Sequence, residues 1–163
     1  MGSVTINGYV MAGGASTRFG FDKARAELNG EAMLARMCKS VKEVTGSVGI
    51  VAPFERYAEF GERLVEDHWP GQGPLGGIIS ALIDAHTRND PLCACWHTSA
   101  TDKLQFSFED GIRKVTDAMK RVSMEVVDEK EWKRFDEMGR LFWNMNTPAE
   151  YAEARRIVEA QGK

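Results

Sequence analysis

Cysteine is scarce in this chain, three in 163 residues, and the three make no framework. Cys38 stands alone, while Cys93 and Cys95 sit two apart and would face the same side of a strand. That excludes a small disulfide-stapled module and leaves buried, reduced thiols as the reading. Histidine is as rare, and His68, His86 and His97 fall at spacings that suggest no zinc site. Neither charge sign dominates: 21 Lys and Arg against 24 Asp and Glu give a net charge of -3. There is therefore no global pull toward nucleic acid or anionic membrane, and any polyanion must be met by a local basic site. No apolar run is long enough to cross a bilayer and no secretory leader is visible, so the expected location is the cytoplasm. Also missing are a Gly-Lys-Ser/Thr triplet, which rules out a Walker A loop, and a nucleophile elbow, which leaves hydrolysis unsupported. Repeats and low-complexity tracts are absent too.

What is there is average globular material, 43% hydrophobic and 28% charged. This is enough for one well-buried core and a single domain over 1–163. Thr5 to Met11 is a short apolar run halted by a glycine pair, a buried strand followed by a turn. Glu31 to Val44 has apolar residues at helical spacing. Val48 to Ala52 reads as a second strand, Phe54 to Gly61 as a helix and Leu64 to Glu66 as a third strand. Leu75 to His86 is a crossover helix, Pro91 to Trp96 a strand, Gly111 to Arg121 a helix and Met124 to Val127 a strand. Pro148 to Glu159 closes as a helix with Thr147 as its N-cap. Asp128 to Arg140 mixes charges around Trp132, Phe135 and Met138, as a solvated helix with an apolar stripe would. Alternation of strands and helices predicts an α/β fold with a mostly parallel sheet and right-handed crossovers.

The chemistry concentrates in Met11-Ala12-Gly13-Gly14-Ala15-Ser16-Thr17-Arg18-Phe19-Gly20-Phe21-Asp22-Lys23. Glycines allow backbone N–H groups close to an anion, Ser16 and Thr17 add hydroxyls, and Arg18 and Lys23 add positive charge. A turn of this composition after a strand suits a triphosphate. A literal Gly-x-Gly-x-x-Gly at 71–76 is not a dinucleotide fingerprint, because it follows Trp69-Pro70 and Pro74 removes a donor. Asp67 with the Gly73-Pro74-Leu75-Gly76-Gly77 turn instead suits recognition of a base or ribose. Asn144 and Asn146 point the same way if extended, and could present amides to a ligand or form a turn before the last helix.

The segment from Ala12 to Lys23 resembles the opening signature of MobA-type molybdenum cofactor guanylyltransferases. Asn29-Gly30, Asp67 followed by Gly73 to Gly77, and Asn144-Met145-Asn146-Thr147-Pro148 fall in the family's order. The resemblance implies a three-layer α/β/α, Rossmann-like fold of the nucleotide-diphospho-sugar transferase type. It also implies transfer of GMP from Mg-GTP to a molybdopterin-type cofactor with release of pyrophosphate. By position, Met11, Ala12, Gly13 and Gly14 would hold the nucleotide with Ser16 and Gly73, while Arg18 and Lys23 would act catalytically on the triphosphate. Asp67 would be a further nucleotide contact, and Asn144 and Asn146 would line the cofactor side. Partners would be GTP, the pterin cofactor and molybdoenzymes or cofactor-delivery proteins, with no nucleic acid and no membrane.

Two positions depart from the pattern. Val51-Ala52-Pro53 stands where many relatives carry an Asn. The family's Asp-x-Pro loop, whose Asp holds Mg²⁺, has no counterpart between Thr87 and Pro91, so the metal ligand is unassigned. Either a block is missing from this sequence or the member is degenerate; the intact remainder of the pattern favours a missing block, since a sheet that lost a central strand would expose apolar faces. A CTP- or sugar-phosphate-using sister enzyme and a non-catalytic GTP-binding adaptor of the same fold are the alternatives.

Overall fold

The computed structural model describes residues 6, 8–14, 20–86, 96–125, 129–136, 138, 145 and 147–161. Three parallel strands, β1 (Gly8–Met11), β4 (Val48–Ala52) and β5 (Arg63–Glu66), form a sheet in the order β1-β4-β5. Between β1 and β4 lie an antiparallel hairpin of β2 (Glu27–Leu28) and β3 (Glu31–Ala32), then helix α1 (Met33–Thr45). After β5 come α2 (Pro74–His86), α3 (Thr101–Glu109), α4 (Val115–Ala118), α5 (Glu129–Trp132) and α6 (Pro148–Gln161).

Strand side chains alternate between faces, so each face collects its own core. Val10, Val48, Ile50 and Ala52 point toward α1, meeting Leu34, Cys38 and the buried Tyr57. Tyr9, Val51 and Val65 point the other way, toward Leu75, Ile78, Ile79 and Leu82 of α2, with Leu104 and Phe108 of α3 behind. All five residues of β4 are buried, as expected for a parallel strand covered on both sides. Ile79 and Leu82 are fully buried, each stabilising the α2 layer by roughly 2 kcal/mol. The layered α/β class read from the sequence is therefore the observed one.

One row of the sheet carries charge. Tyr9, Gly49 and Arg63 are in register across β1, β4 and β5. Gly49 has no side chain, and a Cβ there would come within 2.9 Å of the Arg63 guanidinium and 3.2 Å of the Tyr9 ring. The arginine thus crosses β4 and donates two 2.8 Å hydrogen bonds to Asp84 on α2. The Tyr9 hydroxyl donates to the same carboxylate at 2.6 Å. Burial first, and the Asp84 carboxylate second, push the Tyr9 hydroxyl up to about 12.

Several elements differ from the sequence reading. Phe54 to Gly61 is no helix; the chain turns there and makes only a 3-10 turn at Ala58–Phe60, ended by Gly61 at φ 70°. Thr101–Glu109 is a helix that the sequence reading left unassigned, and the helix expected over Gly111 to Arg121 shrinks to α4 and a 3-10 turn at Met119–Arg121. Met124 and Glu125 are in no strand, while Val126 and Val127 lie outside the described residues. Helix α5 is a single turn, and Phe135 and Met138 beyond it are exposed instead of forming a packed stripe. Trp96 is buried but not in a strand, and Pro91 to Cys95 lie outside the described residues.

Candidate functional site

The carboxyl ends of parallel strands, where loops lead into helices, are where α/β sheets hold ligands. Here that edge gathers the ends of β1, β4 and β5 with the start of α2. The Ala12 N–H continues the ladder by donating to Val51 O at 2.8 Å, and the Asp67 N–H does the same to Ala52 O at 3.0 Å. Gly13 then turns the chain with φ 94°, a conformation that disfavours any side chain. A Cβ at Gly13 would also lie 2.5 Å from Cδ of Pro53, a ring atom that cannot swing aside. The turn is therefore fixed by both torsion and packing.

Met11 reaches the first turn of α2, where a Cβ on Gly77 would sit 3.4 Å from its sulfur. Pro74 opens that helix, using a position where a missing N–H costs nothing, after Gly73 at φ 91°. Asp67 lies under the same turn. Its Oδ1 accepts from the Trp69 N–H at 2.9 Å, and the Ser80 hydroxyl, which donates to Gly76 O at 2.9 Å, accepts from the His68 N–H at 3.0 Å. These bonds hold the β5–α2 connection in one shape.

The far flank of the glycine loop is built from Asp22 and Lys23. Asp22 caps a 3-10 turn at Lys23–Arg25, accepting from the Ala24 N–H at 3.0 Å. It also accepts from Arg25 at 2.7 Å and from the Tyr57 hydroxyl at 3.1 Å. Tyr57 is fully buried, and burial, then the Asp22 carboxylate, raise its hydroxyl above the usual tyrosine range. The guanidiniums of Arg25 and Arg56 stand 5.0 and 5.5 Å from its ring centre.

Lys23 looks toward the last helix. Burial lowers its ammonium below the ordinary lysine value, and the Glu150 carboxylate opposes that shift. Glu150 belongs to a capping box at the start of α6: its Oε2 accepts from the Thr147 N–H at 2.8 Å, and its own N–H donates to Thr147 Oγ1 at 3.3 Å. The Tyr151 hydroxyl donates to Glu27 O, and its ring meets Phe21 edge-on at 6.1 Å. The N-cap read from Thr147 is observed, and α6 closes the loop side of the site.

Of the residues singled out from the sequence, Met11, Ala12, Gly13, Gly14, Lys23, Asp67 and Gly73 are described, on the strand ends or the loops that follow them. Ser16, Arg18, Asn144 and Asn146 lie outside the described residues. Glu150 and Arg56 were missed. The Thr-x-x-Glu pattern gave a signal for the first; an arginine in an aperiodic turn gave none for the second. Among the described residues no group of three His, Cys, Asp or Glu could hold a metal ion. Asp67 has Oδ1 engaged by the Trp69 N–H, and among the described residues no second and third such group join it in a set of that kind.

Residues 8–96 match the family model of the MobA-like NTP transferase domain. A protein of Clostridium perfringens named "probable molybdenum cofactor guanylyltransferase" is 26% identical, covering 88% of this chain and 93% of its own. One of the same name from Pelotomaculum thermopropionicum is 27% identical, covering 93% of each. The first alignment runs over 186 residues, longer than this whole chain of 163, so the relative has residues with no counterpart here. The fold is also that of the crystal structure of molybdopterin-guanine dinucleotide biosynthesis protein A from Archaeoglobus fulgidus. That likeness has a TM-score of 0.78 at 20% identity, over 95% of this chain and 100% of the other.

Proposed function

The chain belongs to the MobA-like NTP transferase domain family, and on that premise we propose that it transfers GMP from GTP to the terminal phosphate of a molybdopterin-type cofactor. A phosphate oxygen of the pterin attacks the α-phosphorus of GTP, the bond from that phosphorus to the α–β bridging oxygen breaks, and pyrophosphate leaves. Mg²⁺ enters with the triphosphate as part of the substrate, and the cytoplasm supplies both. Full-length relatives named for this activity support the reading.

The single observation that carries it is the Gly13 turn, fixed against Pro53 at the end of β1 with Lys23 on its far flank. In this reading the backbone from Met11 to Gly14 cradles the nucleotide. Lys23 and Arg18 neutralise charge that grows on the departing pyrophosphate, Ser16 adds a donor, and Asp67 and Gly73 meet the nucleoside. Asn144 and Asn146 would serve the pterin side in the same reading. Burial and the Glu150 carboxylate act on the Lys23 ammonium in opposite directions, and a cation at that place suits electrostatic stabilisation.

Calorimetry with Mg-GTP, Mg-CTP and Mg-ATP tests the nucleotide, with GTP expected to bind far more tightly. Equal binding of all three would remove the guanine assignment. Pyrophosphate release on adding molybdopterin tests the transfer, and Lys23→Ala should lower kcat/KM by about a hundredfold.

A further inference from the structure

Arg56 occupies a position that neither the loop's chemistry nor its motif accounts for. It follows β4 in a turn where its own N–H donates to Pro53 O at 3.2 Å. Glu55, just before it, has φ 61°, a left-handed conformation that a non-glycine residue adopts at a cost. The strained turn delivers the guanidinium to two places at once. One nitrogen donates to Gly13 O at 3.2 Å, and the other lies 3.4 Å from Asp22 Oδ2. Gly13 begins the glycine loop and Asp22 ends it, so one planar group ties both ends.

The direction of the first bond matters. In a trans peptide the C=O and the following N–H point to opposite sides, and the chain has no cis peptide among its described residues. With Gly13 C=O held toward Arg56, the Gly14 N–H is turned away from the Pro53–Tyr57 turn. A glycine on both sides of this peptide leaves its plane free to flip unless something holds it. Arg56 holds it from the carbonyl side, adding to the packing of Gly13 on Pro53, and Asp22 and the Tyr57 ring hold Arg56.

We propose that Arg56 is a positioning residue for phosphate binding: it latches the Gly13–Gly14 peptide so that this peptide meets the triphosphate already in its binding orientation. The inference rests on the nucleotidyltransferase reading for its ligand, but concerns only the phosphate chain, not the base. A loop that populates the competent conformation a tenth of the time loses about tenfold in affinity.

The test measures binding of Mg-GTP, inorganic tripolyphosphate and guanosine to the wild-type chain and to Arg56→Ala and Arg56→Lys, with thermal midpoints alongside. Arg56→Ala should weaken GTP and tripolyphosphate by about tenfold and leave guanosine unchanged, with the midpoint within about 2 °C of wild type. Arg56→Lys, able to reach one partner but not both, should recover part of the loss. Unchanged tripolyphosphate binding in Arg56→Ala, or an equal loss of guanosine with a fallen midpoint, overturns the latch. So does a wild-type chain that ignores tripolyphosphate. If the wild type binds CTP or ATP as well as GTP, the guanine reading falls while the tripolyphosphate comparison still decides the latch.

Discussion

Two arginine-centred networks sit at opposite ends of the same three strands, and they are built to different specifications. At the amino end, Arg63 grips Asp84 with two parallel bonds, Tyr9 adds a third, and the group is half-buried between β5 and α2. At the carboxyl end, Arg25 and Arg56 share Asp22 with a glutamate, a backbone carbonyl and a tyrosine, and most of the charge faces water. The first joins a helix to a sheet; the second joins loops to each other. A polar cluster shielded from solvent contributes to stability, whereas an exposed one mainly sets geometry.

Asp84→Ala is the sharpest way to break that contrast. It strands Arg63 and the Tyr9 hydroxyl, and should cost about 2–3 kcal/mol in urea unfolding while the surviving folded protein keeps its GTP affinity. A loss of nucleotide binding at unchanged stability would reverse the assignment of the two ends. Next in size is the alkaline limb. Tyr9 titrates at 10.0 when unfolded and at about 12 when folded, so its contribution is complete below pH 10 and is lost as pH rises toward 12. With solvent screening, that slope should amount to about 1–2 kcal/mol, visible as a falling unfolding midpoint, and tyrosinate absorbance should appear earlier in Asp84→Ala. Smallest is Arg25→Ala, which removes exposed pairs to Asp22 and Glu59 and should leave the midpoint of the same unfolding assay close to that of the wild type. A cost as large as that of Asp84→Ala would mean the carboxyl-end network is structural after all.

The amino-terminal half was far more legible than the rest. Val48 to Ala52 is a run of β-favouring and small residues closed by a proline, and the strand has those bounds. The helix from Pro74 was readable because Leu75, Ile78, Ile79 and Leu82 keep a helical period that matches their burial. Thr101–Glu109 escaped because only Thr101, Leu104, Ser107 and Phe108 are buried on it, and two of those are polar. Phe54 to Gly61 misled in the opposite sense: a helix was expected between two strands, but the chain turns there and Phe54 is 72% exposed. In the proposed site, Gly13 and Lys23 were singled out from residue type, since a phosphate loop would need their chemistry. Arg56 and Tyr57 were not, because their role follows from which loops the parallel sheet sets side by side, and no local pattern encodes that.

The bond from Tyr151 to Glu27 spans 124 positions of sequence. Glu150 beside it is the carboxylate that steadies Lys23. A contact between positions so far apart closes a long loop, and its formation carries a large loop-closure entropy. The contact of α6 with the β2–β3 hairpin therefore adds a long-range constraint that local pairing cannot supply. The capping box of that helix fixes the end from which the constraint is made.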